Sequence, residues 1–176
     1  MKISRLWHHL ITVTRHKFYV GQLCFRFGLY YQGIMHDMSN YSWTELRVGA
    51  KYYIGSRSPN SVEREKKGYS LAWLHHKGRN RHHWEYWVDF TPQGIIANPM
   101  PIKYVVEMFC DRVAASKVYL KDDYNDTSPL VYYQKTDTFY VMNPLTRKQL
   151  CDMLTHLSEK GMDATVRYIR YTYLQK

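Results

Sequence analysis

The chain has 176 residues, 45% of them hydrophobic and 23% charged, which suits one globular domain with its own core and excludes a chain disordered throughout. Lys and Arg outnumber Asp and Glu by 25 to 15, and the resulting net charge of +10 favours anionic partners such as nucleotides or nucleic acid. Three separated cysteines without a CxxC motif, and N-terminal apolar residues interrupted by His and Arg, predict a cytoplasmic protein with reduced thiols, no signal peptide and no membrane partner.

Helical periodicity dominates the first part of the chain. A first helix is predicted from apolar residues that share one face: Leu6, Leu10, Val13, Val20 and Cys24. His16 lies on that face, four residues before Val20. The dipeptide His36-Asp37 precedes a turn, so we expect it at the end of a second helix.

Two further helices are expected before residue 80. Ser42 and Glu45 have the spacing of a capping box, which predicts a helix from there to about Ile54. Residues 62–76 also have helical spacing, although Gly68 weakens that helix.

Pro101 is well placed as the first residue of a helix that runs to about Tyr119. This helix is apolar on nearly all sides, which predicts that it is buried. Glu107 and Asp111 are neighbours on one of its faces, four residues apart. Because a buried carboxylate is costly without a partner, both acids are expected to meet cations, hydrogen-bond donors or a metal ion.

Toward the C-terminus, Thr146 is expected to cap a helix over residues 147–160, with Gly161 ending it. Residues 136–142 and 165–173 are rich in Thr, Tyr, Val and Ile, which favours short strands. Turn-forming residues predict three loops, at 55–60, 91–101 and 121–129. The expected fold class is therefore mainly α, with a small β-hairpin near the C-terminus.

Histidine is concentrated in one part of the chain, since eight of the nine histidines precede residue 84. Imidazole is the commonest metal ligand in proteins, and neighbouring carboxylates complete typical sites. The densest groups are His36-Asp37, His75-His76 and His82-His83. They predict a site for one or two divalent transition metal ions, with Mn, Fe, Co, Ni and Zn all suitable.

The order of these residues resembles the HD superfamily of metal-dependent phosphohydrolases. That family has a histidine on an early helix, a His-Asp dipeptide that ends a later one, and an aspartate on a late helix. GIMHDMSNY resembles its dipeptide segment, and EMFCDRVAAS resembles its terminal segment. Asn40 stands where many members have a lysine.

The resemblance implies a fold and a set of metal ligands. It covers about residues 10 to 120. Within the single domain that the chain length predicts over 1–176, it implies an HD-like helical bundle at 1–120 and leaves a C-terminal extension at 121–176. The ligands implied for one ion are His16, His36, Asp37 and Asp111. For a second ion we favour His76 and His83, with His75, His82 and Glu107 as second choices.

The segment around the histidine pairs carries further candidates. Lys77, Arg79 and Arg81 are suited to hold phosphate oxygens. Glu85 is suited to orient a ligand histidine or to act as a base. The whole sequence, above all AWLHHKGRNRHHWEYW, also resembles an uncharacterised family of Firmicute-type bacteria and their phages.

Two functions follow as expectations. The first is metal-dependent hydrolysis of a nucleotide or another small phosphate ester by a metal-activated water. The alternative is a catalytically inactive HD-like protein that binds nucleotides or nucleic acid through its basic, aromatic segment. A structural zinc site in a partner-binding protein is disfavoured because paired cysteines are absent from the sequence. The sequence leaves the oligomeric state open.

Overall fold

The computed structural model describes residues 3–137 and 140–175, and in these ranges it is mainly α-helical, as predicted, with one small antiparallel hairpin. The eight α-helices of the described ranges are α1 (Ile3–Arg26), α2 (Tyr30–Met35), α3 (Trp43–Tyr52), α4 (Pro59–Lys67), α5 (Leu71–Lys77), α6 (Ile102–Leu120), α7 (Ser128–Thr136) and α8 (Pro144–Ile169). Shorter elements are the strands β1 (Val88–Thr91) and β2 (Gly94–Ala97), 3-10 helices at Met38–Tyr41, Trp84–Trp87 and Lys121–Asp123, and a π-helical segment at Arg170–Leu174. None of the described helices is long and apolar enough to cross a membrane.

Helix α6 lies at the centre of the fold, between α1 and α8. Its buried residues Val105, Phe109 and Val113 belong to the same core as Val20 of α1 and Leu154 of α8. A fully buried side chain of this kind contributes about 1.5–3 kcal/mol. The C-terminal helix therefore completes the core that α1 and α6 begin.

The helix expected over residues 62–76 is two helices, so this prediction was wrong. Gly68 has φ of 80° and ends α4 with its backbone N–H bonded to the Arg64 carbonyl. Ser70 then caps α5 by accepting a hydrogen bond from the backbone N–H of Trp73. Glycine adopts this left-handed conformation without steric cost, which is why the chain breaks there.

Helix α8 differs from its predicted bounds at both ends. Its cap is Asn143, whose side chain accepts from the Leu145 N–H, while the Thr146 hydroxyl accepts from the Met100 N–H. Gly161 is left-handed, with φ of 74°, but the helix resumes beyond this kink and continues to Ile169. It resumes because Val166 and Ile169 are buried, and burial outweighs the local stop signal.

The hairpin lies in the middle of the chain and not near the C-terminus. Strands β1 and β2 pair around a two-residue turn, with Thr91 opposite Gly94. Of the segments expected as strands, residues 165–173 are helical and residues 140–142 have no regular structure, while Thr138 and Phe139 lie outside the described residues. β-Propensity is a weak guide where a segment packs as a helix against a core.

Gly49 of α3 is packed against the buried ring of His9, so any side chain at position 49 is expected to lower the stability of the fold. A Cβ atom on Gly49 would lie 2.0 Å from His9 Nε2. Overpacking of this kind outweighs the gain in helix propensity, so Gly49→Ala is expected to destabilise the fold by about 1–2 kcal/mol. The expected fall in melting temperature is about 2–8 °C.

The matched control is Gly78→Ala, where the new Cβ would lie 3.5 Å from the Leu74 carbonyl oxygen, an ordinary contact. Melting followed by circular dichroism compares the two variants. Equal melting temperatures for both variants would contradict the close packing of His9 on Gly49.

Candidate metal centre

The residues of the centre come from four separate parts of the fold. His16 lies on α1 and Asp111 on α6, while His36 and Asp37 form the link between α2 and the next 3-10 helix. The fourth part is α5 and the segment after it, which carry His76, His82 and His83. Asp37 is left-handed, with φ of 53°, so the chain turns sharply at this residue. Lys17 holds the turn against α1, because its ammonium donates to the carbonyl oxygens of Ile34 and His36, at 2.5 and 2.7 Å.

A first cluster has one ligand atom each from His16, His36, Asp37 and Asp111. His16 Nε2 lies 3.0 Å from Asp111 Oδ1 and 3.8 Å from Asp37 Oδ2. His36 Nε2 lies 3.4 Å from His16 Nε2, 3.5 Å from Asp37 Oδ2 and 3.7 Å from Asp111 Oδ1. The structure thus brings together the four residues expected to hold one ion.

A second cluster joins Asp37 to His76, His82 and His83. Asp37 Oδ1 lies 3.2 Å from His76 Nε2 and 3.4 Å from His82 Nε2. Of the favoured pair, His76 and His83 are both present, and His82, a second choice, is there as well. His75 lies outside the cluster and contacts Glu45 instead.

The spacing within both clusters is close to that of metal ligands. Ligand atoms bound to such an ion at about 2.0–2.2 Å lie roughly 2.8–3.1 Å from one another at octahedral angles and roughly 3.3–3.6 Å at tetrahedral angles. The longest distances in the first cluster, 3.7 and 3.8 Å, slightly exceed this range. In addition, Asp37 Oδ1, His82 Nε2 and His83 Nε2 are buried without a well-aligned hydrogen bond among the described residues, although Asp37 Oδ1 lies within 3.4 Å of His76 Nε2 and His82 Nε2. Buried polar atoms are normally satisfied, and a bound ion would satisfy these three.

Asp37 is the residue that the two clusters share. Its Oδ2 faces His16 and His36, whereas its Oδ1 faces His76 and His82. A carboxylate in this position can bind one ion with each oxygen.

Glu107 orients a histidine of each cluster. Its Oε1 lies 3.0 Å from His36 Nδ1 and 3.2 Å from His82 Nδ1. When these nitrogens donate to the carboxylate, each Nε2 is left as the free acceptor that a metal requires. Glu107, expected as a second-choice ligand, also forms with His36 and His82 a third group of side chains whose spacing could hold an ion.

Glu45 contacts Nδ1 of His76 in the same way that Glu107 contacts Nδ1 of His36 and His82. It accepts from His76 Nδ1 at 2.9 Å and from His75 Nδ1 at 2.5 Å. Local spacing shows Glu45 only as part of a capping box. The signal for its contact with the histidines is the position of its carboxylate on the helix face that it shares with the buried Val48 and Tyr52.

The ionisable groups of the clusters strongly perturb one another. Burial alone would raise the pKa of Asp37, but the neighbouring His36, His76 and His82 overcome it and hold that pKa well below its usual value. Burial alone would lower the pKa of His76, but Asp37 and Glu45 raise it to about 10.

His83 shows the opposite shift. Burial, together with the charges of His82 and His76, lowers the pKa of His83 well below its usual value. This shift favours the neutral imidazole of His83, the form that binds a metal ion, whereas the raised pKa of His76 favours a protonated imidazole that must lose its proton before it can bind one.

Each cluster has a partly exposed side and a buried side. In the first cluster the side chains of His16 and Asp111 are 14% and 20% exposed, whereas that of His36 is buried. In the second cluster His83 is half-buried, whereas His76 and His82 are buried. An incoming anion would therefore meet the first cluster on the side of His16 and Asp111.

Glu85 lies beside the second cluster. Burial raises its pKa, and the charges of Lys77 and Arg112 offset only part of this rise. Its Oε2 is buried without a hydrogen-bond partner among the described residues. Trp73 lies close by, and its ring contacts those of His76 and His83.

The other predicted phosphate ligands are less central. Lys77 is half-buried and near Glu85, whereas Arg79 and Arg81 are exposed. Arg79 donates to the carbonyl oxygen of His75, and Arg81 donates to the Tyr104 hydroxyl. In this structure the two arginines thus contact groups outside the two clusters.

Comparison with known proteins gives one match. A family model described as Family of unknown function (DUF5662) matches residues 5–156, which include every residue of the two clusters. No curated protein and no solved structure matches the chain.

Proposed function

The chain belongs to the family of unknown function DUF5662, and from the chemistry of its two clusters we propose that it is a metal-dependent phosphohydrolase of the HD type. The observation that carries this proposal is the shared Asp37, with one oxygen toward each of two ligand sets. The first ion would be held by His16, His36, Asp37 and Asp111. The second would be held by Asp37, His76, His82 and His83. When bound, such ions supply an acidified water as nucleophile and neutralise charge on a phosphoryl group.

The remaining residues have supporting roles in this proposal. Glu107 and Glu45 orient the ligand histidines. Glu85, whose pKa burial raises, serves as a proton donor or acceptor beside the second cluster. The substrate is an anion, in keeping with the net charge of +10, and a nucleotide or other small phosphate ester fits the limited access to the centre.

The test compares two histidines of the same helix. Wild-type protein, His16→Ala and the exposed His8→Ala are loaded with Mn, Fe, Co, Ni or Zn and analysed for bound metal. They are then assayed on nucleotides and simple phosphate esters. We expect about two ions in the wild type and in His8→Ala. We expect loss of the first ion, and at least about a 100-fold loss of activity, in His16→Ala.

A folded wild type that binds none of these metals would overturn the proposal. Metal binding without hydrolysis of any ester, together with salt-dependent binding of oligonucleotides, would favour the alternative of a catalytically inactive nucleotide or nucleic-acid binding protein.

A further inference from the structure

Helix α1 is apolar on two opposite faces, and only one of them is covered. Val13, Val20 and Cys24 face the core. The outward face carries a stripe of apolar side chains, each 45% to 84% exposed: Ile3, Trp7, Ile11, Phe18 and Phe25. Their spacings of four and seven residues place them within a band on the order of 80° wide, so they form one continuous stripe.

Helix α2 widens this stripe at one end. The rings of Phe25 and Tyr30 meet edge to face, with their centroids 5.4 Å apart. Beyond them α2 exposes Tyr31, Ile34 and Met35. The stripe of α1, together with Tyr30, Tyr31, Ile34 and Met35 of α2, is the α1–α2 surface.

The size and composition of the α1–α2 surface are those of an interface. Its nine side chains are all uncharged, and six of them are aromatic or Met, the types enriched at interfaces. From their exposed fractions they present on the order of 1,000 Å² of side-chain surface, whereas a stable complex buries about 800 Å² on each partner. A soluble monomer rarely exposes a continuous apolar patch of this size.

The cations beside the stripe have partners within the same chain. Lys17 donates to the Ile34 carbonyl, Arg26 donates to Asp163 at 2.5 Å, and Arg15 donates to the Tyr19 hydroxyl. Arg26 faces a carboxylate, whereas Lys17 and Arg15 are bonded to neutral oxygens. All three cations lie beside the stripe, so two such surfaces can meet without placing these charges at their centre.

We propose that the α1–α2 surface binds a second copy of this chain and forms a twofold-symmetric dimer. A twofold interface requires a patch that is complementary to itself, and a stripe repeating along one helix can pack antiparallel against its own copy. Thr14, at the middle of the stripe, then lies nearest the twofold axis, where its hydroxyl is hydrogen-bonded to that of Tyr41 of the same chain at 3.1 Å. This inference is independent of the metal chemistry, because His16 lies on the inner face of the same helix.

The test is sedimentation equilibrium of the full chain over a range of concentrations. The wild type is expected at twice its chain mass of 21.2 kDa. Trp7→Glu and Phe18→Glu each place a charge within the stripe, and both positions are exposed, so the fold is retained. Each change is expected to weaken dimerisation at least about tenfold.

The control is Phe90→Glu, the same kind of change at an 82% exposed aromatic residue on β1, outside the surface. It is expected to dimerise as the wild type does. A wild type that remains monomeric up to about 100 µM overturns the proposal. So does a dimer that Trp7→Glu and Phe18→Glu leave unchanged, because that dimer would use another surface.

Discussion

Asp37→Asn is expected to remove both metal ions, and with them the activity, while the fold is retained. Each oxygen of Asp37 faces a different cluster, so loss of its charge weakens both sites together. Loss of a residue that merely orients a ligand costs about 10–100-fold in metal affinity, and loss of a shared ligand is expected to cost more than about 100-fold at each site. Asparagine suits the position because it tolerates the left-handed backbone that Asp37 adopts, with φ of 53°.

Metal content and phosphatase activity measure this effect, with circular dichroism as the check on folding. The control is Asp123→Asn, the same change at an exposed position on the 3-10 helix after α6. Retention of one ion by Asp37→Asn would show that Asp37 serves a single site. Retention of both ions would show that the clusters do not share this residue.

Glu107→Gln is expected to weaken both metal sites by about 10–100-fold, even though Glu107 is not a proposed ligand. The physical reason is that Glu107 Oε1 contacts Nδ1 of His36 in one cluster and Nδ1 of His82 in the other. Without the carboxylate charge, each imidazole is a poorer donor to the metal and is less strictly oriented. Stepwise metal titration against a chelator of known affinity measures the two sites separately.

Glu45→Gln provides the comparison, because Glu45 contacts a ligand of the second cluster only, at His76. This change is expected to weaken the second site and leave the first unchanged. A loss of general stability would lower both affinities in both variants. Equal effects of the two substitutions on the two sites would therefore contradict the orienting roles assigned here.

Several features were predictable because they depend on residues close together in the chain. Ser42 caps α3, as its spacing from Glu45 indicated. His36-Asp37 does end a helix, because the turn that follows is encoded locally. The mainly α-helical fold follows in the same way from apolar residues at helical spacing.

Other features depended on packing that local patterns do not encode. Residues 165–169 have strand propensity, yet they continue α8 because the core buries Val166 and Ile169. Local strand propensity also misplaced the hairpin, which was expected near the C-terminus and forms at Val88–Ala97. Propensity is a sum of small local preferences, and burial against a core outweighs it.

The candidate site likewise has features that the sequence specifies and features that depend on the packing of the fold. The sequence by itself determined the residue types of the clusters and the order in which they occur, because histidine and carboxylate side chains carry their metal chemistry wherever they lie. Only the tertiary structure decided that Asp37 faces two clusters and that Glu107 reaches His36 across 71 positions of the chain. Contacts between distant residues arise from the packing of whole helices, which no spacing within one segment specifies.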